Sequence, residues 1–178
     1  MEKHKTCSFF GHRKIGYNEK VKEKVKKIVE NLIVYCGVRV FLFGSRSEFD
    51  GLCHLVVTQL KEKYQEIKRI AYTCKGETCI LESEKNAWGK IYSRLHKPDV
   101  VLLGVEEEFN HKTKYTAGRA SYVERNQAMV NDSAYCVFYY DENYLPKGRN
   151  IPLKAVGNIN QTAEQRLRMH MQRKRIKY

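Results

Sequence analysis

Val38-Arg39-Val40-Phe41-Leu42-Phe43-Gly44-Ser45-Arg46-Ser47-Glu48-Phe49-Asp50 is the stretch that decides the fold. Its first six residues make a compact, strand-sized run that is mostly apolar, and Gly44 stops it. Beyond the polar turn, Phe49, Leu52, Cys53, Val56, Val57 and Leu60 recur at three- and four-residue steps, the period of a helix with one buried face. A strand passing through a short polar turn into a helix is the first half of a βαβ unit.

The same alternation extends in both directions. Toward the amino terminus, Thr6–Phe10 is a short apolar run closed by Gly11. Val21, Val25, Ile28, Leu32, Ile33 and Cys36 then keep helical spacing, with Asn18 suited to the N-cap and Gly37 to the C-terminal stop. Toward the carboxyl terminus, Ile67–Tyr72 predicts a third strand, residues 74–86 a variable loop and Ala87–Leu95 a short helix. Val100–Leu103 is an unbroken apolar run, expected to be a fourth strand covered on both faces. Glu106–Gly118 is polar and expected to be a mobile connection, Ala120–Val130 a helix and Tyr135–Tyr140 a fifth strand. Strands alternating with helices predict an α/β fold. The expected architecture is a Rossmann-like, doubly wound, mainly parallel sheet of about five strands with helices on both faces. No internal repeat or linker divides the chain. Residues 1–148 are expected to form one domain, with residues 149–178 as an atypical basic tail.

Composition narrows the partners. The chain has 178 residues, 42% of them hydrophobic and only three proline, enough for a self-sufficient core. No apolar stretch approaches the roughly 20 residues that span a bilayer. Residues 1–5 run straight into a strand without a signal-peptide pattern. A cytoplasmic location without a membrane partner is expected. Cys7, Cys36, Cys53 and Cys136 sit in apolar segments, and Cys74 and Cys79 have no second ligand pair at zinc spacing. Reduced, mostly buried thiols and no metal or cofactor are expected.

The net charge of +13 points to anionic partners. The last 18 residues contribute +5 of it, and Lys20–Lys27 supplies much of the remainder on the solvated face of one helix. Twelve tyrosines are scattered and form no stacking stripe. Nucleic acid is therefore the less favoured partner, and a small anionic molecule the favoured one. Assembly into a homo-oligomer is compatible with the sequence.

Three polar clusters lie where a parallel sheet places its strand-to-helix turns. In Gly11-His12-Arg13, glycine permits close backbone approach, arginine offers a planar fork of donors for phosphate, and histidine adds a donor or a titratable proton. An exposed turn with incidental charge is the alternative. In Gly44-Ser45-Arg46-Ser47, backbone amides and hydroxyls at a helix start can converge on an anion. Ser47 equally suits the N-cap, with Asp50 completing a capping box. Phe49 reads as a core anchor. The segment is neither a Walker loop nor a GxGxxG fingerprint. In the third cluster, Ser121 pairs with Arg125 and Tyr122 with Asn126, one turn apart on a helix. Arg125 there either faces a ligand crevice or forms a salt bridge with a glutamate.

Ser8–Arg13, Gly44–Asp50 and Tyr122–Met129, joined by Val137–Asp141, resemble the YpsA-like branch of the SLOG superfamily over roughly residues 6–145. That superfamily also holds the DprA DNA-processing domain and the Lonely Guy phosphoribohydrolases. The resemblance implies a Rossmann-like domain that binds or senses a nucleotide or a nucleotide-derived signal. Gly11, His12, Arg13, Gly44, Ser45, Ser47, Asp50, Arg125 and Asn126 are the expected ligand-binding residues. Glycosidic-bond cleavage of the Lonely Guy type would need a carboxylate beside the anomeric carbon, for which Asp50 and Glu124 are the candidates. The chain departs from relatives in two places. Ala134 follows Ser133 where they carry aspartate, and the tail replaces a glycine–threonine loop and an alanine-, tyrosine- and lysine-rich helix. Reading the tail one base earlier, with Met169 and Met171 fixed as ATG, is compatible with that missing ending. A frameshift between about Arg149 and Gln161 is the expectation that sequencing the gene would test.

Overall fold

The computed structural model describes residues 2–15, 19–44, 47–75, 104–114 and 119–140. The expected helix at 87–95, the expected strand at 100–103, Asn18, Ser45, Arg46, Cys79 and the tail lie outside them.

Among the described residues, five strands form one sheet: β1 (Thr6–Phe10), β2 (Val40–Phe43), β3 (Lys68–Cys74), β4 (Glu107–His111) and β5 (Tyr135–Phe138). Three helices are described: α1 (Glu19–Tyr35), α2 (Glu48–Lys61) and α3 (Arg119–Asn131). The strand order is β4-β3-β2-β1-β5, and every neighbouring pair is parallel. The chain thus walks outward from β1 through β4, then returns to place β5 on the other side of β1. This is the doubly wound α/β architecture expected from the alternation of periods. In such sheets the order reverses beside the first strand, which opens a crevice at the carboxyl ends of the strands flanking the reversal. Here those strands are β1 and β5.

Side-chain alternation along the strands builds two cores. Cys7, Phe9, Phe41, Phe43 and Ala71 face α1 and α2, meeting Val25, Val29, Ile33, Phe49, Cys53, Val56 and Val57. Phe10, Leu42, Ile70, Tyr72 and Cys136 face the opposite way, onto Met129 and Val130 of α3. Phe9 stacks on Phe43 at 5.1 Å between ring centroids and lies 6.0 Å from Phe41, so β1 and β2 share one aromatic seam. Burial pushes the thiols of Cys7 and Cys53 well above the ordinary range, in keeping with packed, unreactive sulfur.

The helix endings follow their sequence signals. Gly37 takes φ +65° just past α1, where Val38 N–H donates to Leu32 C=O and the Arg39 guanidinium donates to Ile33 C=O. Those bonds satisfy carbonyls that a helix end would otherwise leave bare.

Two expectations are corrected. Glu106–Gly118 is not a mobile connection throughout, because Glu107–His111 forms the edge strand β4. An edge strand is held by one ladder and can stay polar. Cross-strand contacts replace an apolar face here: Phe109 lies 5.0 Å from the Tyr72 ring, and Asn110 Nδ2 donates to Thr73 Oγ1 at 3.0 Å. Cys36 is exposed rather than buried, standing one residue past the end of α1. Among the described residues, no helix is long and apolar enough to cross a membrane.

Candidate functional site

The turn leaving β1 is strapped to the start of α2. Glu48 N–H donates to the Arg13 carbonyl at 3.0 Å, and the Glu48 carboxylate accepts from Ile15 N–H at 2.9 Å and Lys14 Nζ at 2.7 Å. The strap is tight because Gly11 lacks a side chain. A Cβ at Gly11 would stand 2.6 Å from the Phe49 ring, which is itself almost fully buried. Phe49 is thus the core anchor its apolar spacing predicts, and it also sets the height of the β1 turn.

The turn leaving β2 follows the same logic. Ser47 caps α2 by accepting from Asp50 N–H at 2.9 Å, and its hydroxyl donates to Asp50 Oδ2 at 2.9 Å. A full capping box would send the carboxylate to the N-cap amide. Here the carboxylate takes the cap's hydroxyl instead. Beside it stands Arg125, carried by α3 from the opposite face of the sheet. A Cβ on Gly44 would lie 2.8 Å from Arg125 Nη2 and 3.3 Å from Asp50 Oδ2. Glycine at 44 therefore leaves room for a guanidinium from one face and a carboxylate from the other. Arg125 is only 3% exposed; its Nε and Nη2 donate to Asn126 Oδ1, and its guanidinium carbon lies 5.2 Å from the centre of the Tyr122 ring. Ser121, Arg125 and Met129 form the buried stripe of α3, so the Ser121–Arg125 pair faces inward.

The structure brings Gly44, Ser47, Asp50, Arg125 and Asn126 to one place, with Gly11 and the Arg13 backbone on the adjoining turn. The Arg13 side chain is exposed on that turn. Ser45 lies outside the described residues. His12 is buried and turns toward β5, with its ring 5.8 Å from Tyr139 and 5.6 Å from Tyr140. Glu124 is engaged in the approach to α3, where its carboxylate accepts from Lys114 N–H at 2.7 Å. Tyr122 joins the site beside its expected partner Asn126, while Tyr139 and Tyr140 are site neighbours that were not among the expected ligand-binding residues. The doublet after an apolar run was their signal, but it read as the end of a strand.

A second polar cluster lies at the amino edge of the sheet. Arg69 donates to both oxygens of Glu106, to Thr58 Oγ1 at 2.8 Å and to the Gly104 carbonyl. Burial pushes the Glu106 carboxyl upward, but the Arg69 hydrogen bonds and charge outweigh it and hold the group below its ordinary value. His54, buried on α2 with Nε2 unpartnered, presents an edge to Phe43. Burial, aided by the Arg69 charge, lowers its pKa to about 4. The open groove between α1 and α2, lined by Lys26, Glu30, Gln59, Leu60, Glu62 and Lys63, carries exposed ion pairs such as Lys63–Glu30 at 2.9 Å. Hydrated pairs of that kind hold a ligand weakly. Among the described residues, no three His, Cys, Asp or Glu side chains gather as metal ligands.

No protein-family model matches the chain, and no curated protein matches it in sequence. The class of protein is therefore set by fold alone: a doubly wound, Rossmann-like α/β domain.

Proposed function

We propose that this protein binds a phosphate-bearing, nucleotide-derived small molecule at the carboxyl edge of its sheet. One observation carries the reading: α3 delivers the buried guanidinium of Arg125 against side-chain-free Gly44 at the capped start of α2. That edge is where open α/β sheets receive ligands, and a helix start beside an arginine suits phosphate oxygens. The likeness of these segments to YpsA-type SLOG domains supports the same reading, as does the positive net charge. Both candidate acids are already engaged, Asp50 with Ser47 and Glu124 with the Lys114 amide. We accordingly favour binding or sensing over glycosidic-bond cleavage.

Titration calorimetry with ADP-ribose, nucleoside mono- and diphosphates and ribose 5-phosphate tests the proposal. At least one of these binds, and Arg125→Gln weakens it tenfold or more while the circular dichroism spectrum is unchanged. Absence of heat with every compound would overturn the proposal. Release of free base from a nucleoside monophosphate, abolished by Glu124→Gln, would replace it with hydrolysis.

A further inference from the structure

The aromatic residues at the strand-order reversal have no part in the phosphate contacts, yet they stand at the crevice. β5 alternates its side chains: Tyr135 and Val137 face the α1–α2 core, while Cys136 and Phe138 face α3. Tyr139 continues the first set, packing on the core and stacking on Phe49 at 5.5 Å. Extended past the end of β5, the same alternation assigns Tyr140 to the second set, the side from which Arg125 arrives. Its ring is partly exposed and tilted 40° from the buried His12 ring. The two strand ends are tied by Tyr139 N–H donating to Phe10 C=O at 2.9 Å, which fixes the doublet against the β1 turn.

Gly44 and Arg125 lie at the end of β2, and β1 alone separates β2 from β5. Two strand spacings are about 10 Å. That span matches the reach from base to phosphate in a nucleoside 5′-phosphate, and an isolated ribose phosphate does not fill it. Resting on the proposed ligand class, we infer that Tyr140, buttressed by His12, is the stacking platform for the base of a nucleoside 5′-phosphate whose phosphate meets Gly44 and Arg125. Aromatic stacking tolerates different bases, so the platform supplies affinity for a ring rather than readout of one base.

Calorimetry on the full chain with two probes, 5′-AMP and ribose 5-phosphate, separates the parts. The intact protein binds 5′-AMP about tenfold or more tightly than ribose 5-phosphate. Tyr140→Ala removes most of that margin and leaves ribose 5-phosphate affinity unchanged, whereas Tyr140→Phe keeps the margin because the ring remains. Equal affinity of the intact protein for the two probes would overturn the inference. So would a Tyr140→Ala variant that weakens both equally, or neither. If neither probe binds the intact protein, the platform falls with it, and any other phosphate compound in the wider panel that does bind leaves the phosphate site standing alone.

Discussion

Two buried arginines occupy opposite edges of the same sheet, and their surroundings differ in kind. Arg69, at the amino edge, is 7% exposed and enclosed by Glu106, Thr58 and Gly104, partners that join β3 to α2 and to the segment entering β4. Arg125, at the carboxyl edge, is 3% exposed and bonded to Asn126 of its own helix, with its guanidinium against the turn that leaves β2. Burial of a cation is thus no sign of function in itself. Arg69 is a brace that ties down a polar edge strand. Arg125 crosses from one face to meet a helix start on the other, at the edge where this architecture opens.

The sharpest way to break the comparison is to remove each guanidinium. Arg69→Met leaves the partly buried Glu106 carboxylate with the Lys61 ammonium at 3.5 Å but without its bonded guanidinium, and is expected to cost about 3 kcal/mol, read from urea denaturation. Arg125→Met is expected to cost less than half of that, because the bonds of Arg125 to Asn126 lie within α3, whereas those of Arg69 reach from β3 to the segment entering β4. Equal losses would mean that Arg125 is also a brace. A smaller effect comes from filling the space at the carboxyl edge. Gly44→Ala places a methyl group 2.8 Å from Arg125 Nη2 and is expected to cost about 1 to 2 kcal/mol as the guanidinium moves aside. It should also weaken the phosphate ligand about tenfold, whereas Arg69→Met leaves the affinity of the folded protein unchanged.

The most gradual effect is a pH dependence at the amino edge. Burial and the Arg69 charge lower the His54 pKa from 6.5 to about 4, so the fold favours the neutral ring. The unfolded chain takes up the proton first as the medium acidifies. Stability from this group is complete above pH 6.5 and declines as pH falls toward 4. The decline is on the order of 1 kcal/mol for each pKa unit of that shift. His54→Phe should flatten that segment of the stability–pH curve; an unchanged slope would place the titration elsewhere.

The elements legible in the sequence were those with an apolar period. Of the stripe expected for α1, Val25 and Ile33 are buried, whereas Ile28 is exposed and the fully buried Val29 was not in it; Phe49, Cys53, Val56 and Val57 mark the buried stripe of α2 as expected. Glycine after an apolar run likewise marked the turns at 11 and 44. Glu107–His111 was illegible because an edge strand draws its stability from the ladder with β3 and from pairs such as Thr73–Asn110, neither of which leaves a hydrophobic period. At the site, Gly44, Ser47 and Asp50 were readable as a local cap. Their meeting with Arg125 was not, since they lie 75 or more positions from it in the chain and only the crossover to the opposite face closes that distance. The roles of His12 and Glu124 were also undecided, because both depend on which neighbour arrives beside them.

Local period and turn chemistry determined that this chain alternates strands with one-sided helices, because the burial of an apolar stripe is encoded every two or every 3.6 residues. The order β4-β3-β2-β1-β5, the edge strand and the choice of which buried arginine faces the crevice were decided only by the assembled sheet. Hydrogen-bond ladders and cross-face contacts join residues far apart in the chain, and no local pattern carries that information.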